Sequence, residues 1–412
     1  MEYGLIGGKL MHSYSCEIHE AIADYRYELM ELKPDEVEPF LKEHAFCGIN
    51  VTIPYKETVI PYLDEISEEA EKIGAVNTIV NRNGKLFGYN TDYAGMKALL
   101  QHAGIDPKGK KVLILGSGGT CKTAVSVLRD LGAEDIRIVS RKPESGHISY
   151  QEAYEKYQDT DLIVNTTPVG MYPEDEKIPI DLSVFPNLSA VIDAVYHPLQ
   201  TELILEAGKR GISAEGGLYM LAAQAVYASA LFTGKEASES MIERAYRAVF
   251  EKKRNIVLTG MPTSGKTTVG KILSGITGKQ LIDCDRAFYE RFHCTAETAI
   301  RSQGEEAFRK LESELISEIA KESGVVIATG GGAVLKAENV RVLRRNGTIC
   351  FLDRPLDLLH AEADRPLSSS EDDLRKLYEA RRPVYLSTAD HVIDSSRAPE
   401  QIAANINEVL NS

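Results

Sequence analysis

The stretch Asn255-Ile-Val-Leu-Thr-Gly260-Met-Pro-Thr-Ser-Gly265-Lys266-Thr267 has an apolar strand pattern followed by a glycine-rich turn, and a helix pattern comes next. The turn matches G-x-x-x-x-G-K-[ST] in full. Its glycines let backbone N–H groups surround a polyphosphate, Lys266 neutralises phosphate oxygens, and the Thr267 hydroxyl coordinates Mg²⁺. A chance glycine-rich turn is the alternative, and the flanking strand and helix argue against it. We therefore expect a nucleoside triphosphate site formed by Thr263, Ser264, Gly265, Lys266, Thr267 and Thr268.

Short apolar runs rich in β-branched residues alternate with longer helical patterns on both sides of this loop. That alternation predicts an α/β protein with parallel sheets. The clearest runs are 111–115, 135–139, 161–164, 190–193, 255–259, 325–328, 348–352 and 391–394.

The chain has 412 residues and a net charge of −14, from 47 Lys plus Arg and 61 Asp plus Glu. At roughly 100–200 residues per domain, this length predicts several domains. A charged helical pattern ends at Lys253 where a buried strand begins, and a second boundary falls at 106–109. The predicted domains are 1–105 (completed by helices at about 218–250), 106–217 and 254–412.

Charge, apolar runs and cysteine spacing limit the class of protein. An acidic chain repels nucleic acid and anionic membranes, so we expect small-molecule partners. No apolar run approaches the ~20 residues that span a bilayer, and the N-terminus lacks a signal-peptide pattern. The six cysteines are scattered without a CxxC pair, which favours reduced thiols in the cytoplasm.

Two carboxylates, Asp283 and Asp285, follow the apolar pair Leu281-Ile282. If this segment is extended, the two side chains alternate in direction, so one can reach Mg²⁺ and the other a substrate hydroxyl. The alternative is a helix-capping aspartate beside a solvated one.

Further motifs follow in a fixed order: F-R-x-x-E at Phe308–Glu312, the triple glycine 330–332, R-P-L at Arg365 and R-x-P-x-Y at Arg381. With the phosphate loop and D-x-D, this order resembles shikimate kinase over about residues 255–410. The resemblance implies that Asp283 and Thr267 hold Mg²⁺ and that Arg365 reaches the nucleotide phosphates from a lid. For the lid, residues 364–375, a plain exposed loop is the alternative. The implied shikimate ligands are Asp285, Arg309, Gly331 and Arg381.

A second glycine-rich turn follows the strand at 111–115, and this G-x-G-G pattern is a variant of the dinucleotide-binding turn. The next strand ends in Ser140-Arg141-Lys142, where an NAD site would place an acidic residue, so the sequence favours NADP. A merely tight turn and two solvated surface cations are the alternatives.

Polar clusters such as His12-Ser-Tyr-Ser15, Asn50-Val-Thr52 and Tyr89-Asn-Thr-Asp92 surround this turn in the sequence. As an ordered set they resemble shikimate dehydrogenase over residues 3–250. The resemblance implies a substrate domain and a Rossmann-like NADP domain, with Lys56 and Asp92 as the catalytic pair and Gly217 against NADP. The implied substrate ligands are Ser13, Ser15, Thr52, Asn77, Tyr196 and Gln224. The resemblance also implies that NADP contacts Gly116, Ser117, Gly118, Gly119, Thr120, Ser140, Arg141 and Lys142.

Reduction of a ketone to an alcohol requires a hydride carrier and a group that transfers the hydroxyl proton. Lys56 suits that transfer with Asp92 orienting it, although the sequence does not divide the role between them. Cys16 and Ser140–Lys142 depart from the usual family residues, and Thr263 stands where phosphate loops often carry glycine. Thr263 should tighten the phosphate loop without abolishing phosphate binding.

The two halves imply consecutive reactions on one polypeptide: NADPH-dependent reduction of 3-dehydroshikimate to shikimate, then MgATP-dependent phosphorylation of shikimate. Two alternatives are a sensor that binds these ligands without turnover, and an NAD-dependent quinate dehydrogenase fused to another kinase. Retention of the reactive groups argues against the sensor, and Arg141 argues against NAD. The sequence leaves the oligomeric state and any transfer of shikimate between the sites open.

Overall fold

The computed structural model describes residues 1–10, 14–143, 146–360 and 370–411. The chain divides into two compact units, Met1–Phe250 and Glu251–Ser412. The first unit contains two six-stranded sheets, and the second contains one sheet of five strands. The predicted α/β class is confirmed.

The first sheet is mixed, with strand order β2-β1-β3-β5-β6-β4. Strand β5 runs antiparallel to both β3 and β6, whereas β1 pairs in parallel with β2 and β3. Its strands are β1 (Tyr3–Gly7), β2 (Tyr27–Glu31), β3 (Gly48–Val51), β4 (Glu65–Ile66), β5 (Thr78–Arg82) and β6 (Lys85–Tyr89). The accompanying helices are α1 (Ser15–Ile22), α2 (Pro34–Glu43), α3 (Glu68–Ile73) and α4 (Thr91–His102).

The second sheet is parallel throughout, in the order β12-β11-β10-β7-β8-β9. The strand order reverses beside β7, which is where doubly wound sheets bind their ligands. The strands are β7 (Lys111–Leu115), β8 (Asp135–Val139), β9 (His147–Ile148), β10 (Leu162–Asn165), β11 (Ala190–Asp193) and β12 (Ser213–Glu215). The helices are α5 (Gly119–Asp130), α6 (Tyr150–Lys156) and α7 (Glu202–Lys209).

Helices α8 (Leu218–Thr233) and α9 (Glu239–Lys253) follow this sheet. Helix α8 is apolar on nearly every side, which is typical of a buried helix. One hydrophobic cluster contains residues of α4, β7, α8 and α9, for example Leu99, Val112, Val226 and Val249. Burying each such side chain contributes about 1.5–3 kcal/mol, and this packing holds α4 and α8 side by side.

The sheet of the second unit is parallel, in the order β14-β15-β13-β16-β17. Every residue of its central strand β13 is buried, as its continuous apolar run predicts. The strands are β13 (Asn255–Thr259), β14 (Gln280–Asp283), β15 (Val325–Ala328), β16 (Gly347–Asp353) and β17 (His391–Asp394). The helices are α10 (Lys266–Thr277), α11 (Cys284–Phe292), α12 (Ala296–Gln303), α13 (Glu305–Ile319), α14 (Ala337–Arg344), α15 (Glu371–Thr388) and α16 (Pro399–Asn411).

Candidate active sites

A cavity of about 940 Å³ in the first unit is lined by most of the predicted substrate residues. They come from separate parts of the chain, including the start of α1, the turn after β3, the first turn of α4 and the middle of α8. Its size suits a small molecule. Ser13 lies outside the described residues. The predicted residues that line the cavity are Ser15, Thr52, Lys56, Asn77, Asp92, Tyr196 and Gln224.

Lys56 and Asp92 form an ion pair at this cavity. Lys56 Nζ donates to Asp92 Oδ2 at 2.6 Å. The two side chains are 27% and 18% exposed, so the pair remains accessible from the cavity. Asp92 lies in the first turn of α4, where the helix dipole favours a carboxylate. The structure thus places a proton-carrying amine and a carboxylate in direct contact.

The Asn77 side chain is held by a buried hydrogen-bond network beneath the cavity. Its Oδ1 accepts from the Thr91 backbone N–H at 2.7 Å, from Thr91 Oγ1 at 3.2 Å and from Thr78 Oγ1 at 3.0 Å. Thr91 Oγ1 also lies 3.4 Å from Gln224 Oε1. The amide oxygen of Asn77 is therefore used inside the protein, and its Nδ2 is the atom left to donate to a ligand.

Two further residues line the cavity although neither was predicted as a ligand. Asn50 accepts from Tyr27 Oη at 2.7 Å and donates to Thr78 Oγ1 at 2.9 Å, so it supports the Asn77 network. Tyr14 Oη lies 3.2 Å from His197 Nδ1, and its ring centroid is 5.6 Å from that of Tyr196. Two features of the sequence could have indicated these residues. Asn50 is an amide inside an apolar strand, and Tyr14 lies between two serines that were predicted as ligands.

The segment that carries Tyr196 is anchored by Asp193, which is fully buried at the end of β11. Asp193 Oδ1 accepts from Asn165 Nδ2 at 2.9 Å and from the Val195 N–H at 3.0 Å, and Oδ2 accepts from Thr201 Oγ1 at 2.6 Å. Burial raises the pKa of Asp193 to about 6, against the opposing effect of these hydrogen bonds. Asp193 therefore joins the loops after β10 and β11.

The Asp193→Asn variant should change the pH dependence of stability. Because the folded-state pKa of Asp193 is raised, the folded protein binds the extra proton between about pH 4 and pH 6, and the contribution of this carboxyl to stability falls as pH rises through that range. An asparagine keeps the two hydrogen bonds that Oδ1 accepts, and its Nδ2 can donate to Thr201 Oγ1 in place of the bond that Oδ2 accepts, without the charge. Relative to wild type, the variant's free energy of unfolding should rise by about 2 kcal/mol from pH 4 to pH 8, measured by urea unfolding.

The Asp181→Asn variant is a control for which we expect the opposite pH dependence of stability. Asp181 lies at the surface, and its hydrogen bonds from Ser183 lower the pKa of the carboxyl. Its contribution to stability is present at neutral pH and is lost as pH falls, so its relative stability should change in the opposite direction. Parallel pH curves for wild type and Asp193→Asn would contradict the assignment to Asp193.

The glycine turn after β7 has the geometry of an anion-binding loop. Gly116 has φ +100°, and a Cβ there would lie 2.9 Å from Thr167 Cγ2, so a side chain would not fit. Gly118 is the N-cap of α5 and supplies no side-chain cap, which leaves the first N–H groups of the helix for a ligand. The helix begins at Gly119, directly after the glycine turn.

The other residues predicted to contact NADP lie at the same edge of the sheet. Strands β7 and β8 are parallel neighbours, so Ser140–Lys142 follow β8 close to where the glycine turn follows β7. Arg141 is exposed, and Ser140 Oγ accepts from the Lys142 N–H at 3.3 Å. Gly217 precedes α8, where a Cβ would lie 2.2 Å from the Ala194 carbonyl oxygen. Only glycine allows this close approach of the two backbones.

In the second unit, the phosphate loop joins β13 to α10. Gly265 is the N-cap of α10 with φ +93°, a conformation that favours glycine. Lys266 Nζ extends back over the loop and donates to the carbonyls of Gly260 and Met261 at 2.9 and 2.8 Å. Bound phosphate oxygens would replace these carbonyls as partners of the ammonium group.

Thr267 Oγ1 donates to Asp283 Oδ2 at 2.6 Å. Thr267 lies in the first turn of α10, after β13, and Asp283 ends β14. Because β13 and β14 both run parallel to β15, which lies between them, these two segments lie at the same end of the sheet. A hydroxyl and a carboxylate fit Mg²⁺, which usually takes one or two carboxylates and completes its shell with water and substrate phosphate. The described residues contain no cluster of three or more His, Cys, Asp or Glu suited to a metal.

Asp283 and Asp285 do not share an extended segment, and the alternative of a helix-capping aspartate is confirmed for Asp283. The strand ends at Asp283, which caps α11 by accepting from the backbone N–H groups of Asp285 and Arg286 at 3.0 and 3.1 Å. Asp285 therefore lies in a helical first turn. The change from strand to helix, and not strand alternation, therefore sets the directions of the two carboxylates.

Asp285 and Arg309 lie close to the triple glycine. Arg309 donates to Glu312 Oε2 at 2.6 Å and to Glu305 Oε1 at 3.1 Å. A Cβ on Gly332 would lie 2.2 Å from Arg309 Nη2, and a Cβ on Gly330 would lie 2.8 Å from Glu312 Oε1 and 3.6 Å from Asp285 Oδ1. The glycines therefore make room for these charged side chains. The sequence motif contained Glu312 but suggested no role for it.

Arg381 lies on α15, where it is buried. Burial lowers its pKa, and the nearby Arg309 adds to the effect while Tyr385 opposes it. Tyr385 also donates to the Gly331 carbonyl, which joins α15 to the triple glycine. A buried guanidinium such as that of Arg381 suits an anionic partner such as a carboxylate.

Thr263 adopts φ +62°, which L-residues seldom take. Its Oγ1 lies 3.3 Å from both the backbone N and O of His360, so the hydroxyl connects the phosphate loop to the segment before the predicted lid. Residues 361–369, including Arg365, lie outside the described residues. The predicted lid extended to Arg375, but α15 begins at Glu371 because Ser370 caps it by accepting from the Asp373 N–H.

Comparisons with protein-family models match both parts of the chain. The model for the shikimate dehydrogenase substrate binding domain matches residues 5–79, and the model for shikimate kinase matches residues 262–411. A shikimate dehydrogenase (NADP(+)) of Clostridium perfringens strain SM101 is 38% identical over 262 residues, which cover 59% of this chain and 96% of the relative. One of Caldanaerobacter subterraneus is also 38% identical, over 257 residues, covering 57% and 91%.

Solved structures agree. The shikimate 5-dehydrogenase of Thermus thermophilus in complex with NADP(H) and shikimate has 34% identity and a TM-score of 0.54, covering 60% of this chain and 99% of that structure. A chorismate mutase/shikimate 5-dehydrogenase fusion protein of Clostridium acetobutylicum has 36% identity and a TM-score of 0.58, covering 61% and 97%. The chain therefore belongs to the shikimate dehydrogenase family, and its C-terminal part is a shikimate kinase domain.

Proposed function

We propose that this chain reduces 3-dehydroshikimate to shikimate with NADPH in its first unit and phosphorylates shikimate with MgATP in its second. The supporting observation for the first reaction is the 2.6 Å contact between Lys56 and Asp92 at the substrate cavity. Glu57, the next residue, bonds Lys122 of α5 at 2.7 Å, so the pair lies near the helix that begins at the glycine turn. The supporting observation for the second reaction, the phosphorylation, is the Thr267–Asp283 contact beside the phosphate loop.

In the reductase site, NADPH supplies the hydride. Lys56 donates a proton from Nζ to the ketone oxygen as that oxygen becomes a hydroxyl, and Asp92 holds the ammonium group in position. Asn77 Nδ2 and the hydroxyls of Ser15 and Thr52 are available to orient the ring substituents. A pocket built from such directional donors rejects analogues that lack the matching hydroxyls.

In the kinase site, Thr267 and Asp283 would hold Mg²⁺, which neutralises phosphate charge there. Lys266 and the loop N–H groups bind the transferred phosphate, and Asp285 accepts the proton of the attacking hydroxyl. Arg309 and Arg381 hold the shikimate carboxylate. Because phosphoryl transfer depends mainly on positioning and charge neutralisation, these groups suffice as protein contributions.

The Arg141→Ala variant should lose preference for NADP. A guanidinium bound to the 2′-phosphate contributes about 1.5–3 kcal/mol, so we expect KM for NADP to rise about 10- to 100-fold with little change in KM for NAD. Wild type should show a far higher kcat/KM with NADP than with NAD. Lys209→Ala, at an exposed lysine in the last turn of α7, is the control. Equal kcat/KM for the two cofactors in wild type would refute this role.

One experiment separates the proposal from its alternatives. Purified protein is incubated with 3-dehydroshikimate, NADPH and MgATP, and the final product is identified by mass spectrometry. A bifunctional enzyme yields shikimate 3-phosphate, whereas a sensor binds ligands without turnover. A quinate-specific dehydrogenase would oxidise quinate faster than shikimate in the reverse assay.

We also propose where in the cell the enzyme is located and how its chain divides into domains. Among the described residues, no helix combines the length and apolar character needed to cross a bilayer. We assign the protein to the cytoplasm because its six cysteines are scattered and none is bridged. We also propose a substrate domain of residues 1–105 completed by 218–250, an NADP domain of 106–217 and a kinase domain of 254–412.

A further inference from the structure

The second unit has another cavity, of about 570 Å³, at the end of its sheet opposite the phosphate loop. The phosphate loop, Asp283 and Gly330 all follow the carboxyl ends of strands, whereas this cavity is lined by residues that precede the amino ends. It is therefore separate from the phosphoryl-transfer site. Its lining includes Glu251, Lys252, Lys253, Arg254, Gly278, Lys279, Ser323 and Gly324.

The charge of this cavity is opposite to that of the whole chain. Among the described residues that line it, Lys252, Lys253, Arg254 and Lys279 are accompanied by one carboxylate, Glu251, although the chain carries a net charge of −14. Glu251 is itself paired with Arg254. Such a concentration of cations in a concave site raises the local concentration of small anions.

Lys279 is positioned to act as a nucleophile at this cavity. Its Nζ donates to the carbonyls of Glu251 and Lys252 at 2.5 and 3.4 Å. A neutral amine has two N–H bonds and one lone pair, so these two carbonyls engage the N–H bonds and leave the lone pair available. Burial lowers the pKa of Lys279 to about 8; Arg254 lowers it further, and Glu251 opposes the shift. A large fraction of the amine is then neutral at mildly alkaline pH.

We propose that Lys279 is a site of acylation by small acyl phosphates. The cationic cavity collects the anionic donor, and Nζ attacks its carbonyl carbon. The N–C bond forms as the C–O bond to phosphate breaks, inorganic phosphate leaves, and the nitrogen releases one proton. Acylation removes one positive charge and replaces an amine that bonds the end of α9 with an amide.

The full-length protein incubated with acetyl phosphate at pH 8 provides the test, with acetylation of each lysine measured over time by peptide mass spectrometry. Lys310, an exposed lysine on α13 paired with Glu306, is the internal reference. The lowered pKa of Lys279 makes more of its amine neutral than in an ordinary lysine, and its lower basicity offsets part of that gain, so we expect acetylation about tenfold faster than at the reference residue. Equal or slower acetylation of Lys279 would overturn the proposal.

A Lys252→Gln, Lys253→Gln double variant tests the role of the cations. Its rate at Lys279 should fall about tenfold with acetyl phosphate and stay unchanged with N-acetoxysuccinimide, an uncharged acetylating reagent. An equal fall with both reagents would show that the substitutions disturbed Lys279 itself. That result, or no fall with either, would refute anion collection by this cavity.

Discussion

The Lys56→Met variant should lose dehydrogenase activity, with kcat falling about a thousandfold and KM for 3-dehydroshikimate nearly unchanged. Methionine keeps the length of the side chain but cannot carry the proton that the substrate oxygen requires. It also leaves Asp92 without the ammonium group that now lies 2.6 Å away. Steady-state NADPH consumption measures the loss, and the same preparation should retain full kinase activity.

Lys72→Met is the matched control, because Lys72 is an exposed lysine paired with Glu68 on the surface of α3. Its dehydrogenase activity should equal that of wild type. A Lys56→Met variant with at least a tenth of the wild-type kcat would show that another group transfers the proton. In that case Asp92→Asn becomes the decisive variant, since Asp92 is the other half of the pair.

The Lys266→Ala variant should lose kinase activity by about a hundred- to a thousandfold in kcat. Lys266 is the cation of the phosphate loop, and its ammonium group lies over the loop through two carbonyl contacts. Without it, the charge that develops on the transferred phosphate has lost a preorganised partner. ADP release in the presence of shikimate measures the effect.

Lys271→Ala is the control for this variant, because Lys271 is an exposed lysine one turn further along α10. It should retain wild-type kinase activity, and both variants should retain the dehydrogenase. In the coupled assay, Lys266→Ala should accumulate shikimate, whereas Lys56→Met should leave 3-dehydroshikimate unconverted. Accumulation of shikimate 3-phosphate by Lys266→Ala at the wild-type rate would contradict the assigned role.

Strands were the most predictable part of this molecule. All eight predicted apolar runs are strands in the structure, and their ends agree to within one residue. A strand in a parallel sheet is covered on both faces, so its run of β-branched residues is continuous and its limits are sharp. The glycines were also predictable, because Gly116 and Gly265 adopt backbone conformations that other residues avoid.

Helix starts and loop ends were less predictable, since they depend on individual capping contacts. Asp283 could have continued the strand, but its carboxylate accepts from two N–H groups and starts a helix. Ser370 likewise ends the predicted lid before Arg375. Serine and aspartate are common in loops as well as at caps, so their presence alone does not mark the boundary.

The sequence by itself determined the α/β class, the two phosphate-binding turns and the kinds of side chain available for both reactions, because these depend on local patterns and short spacings. Only the tertiary structure decided which side chains meet. Lys56 and Asp92 are 36 residues apart yet in contact, and Asn50 supports Asn77 through Thr78 within one sheet. The charge around Lys279 likewise arises where segments distant in the chain pack together. Such contacts follow from the packing of sheets and helices, which no single stretch of sequence contains.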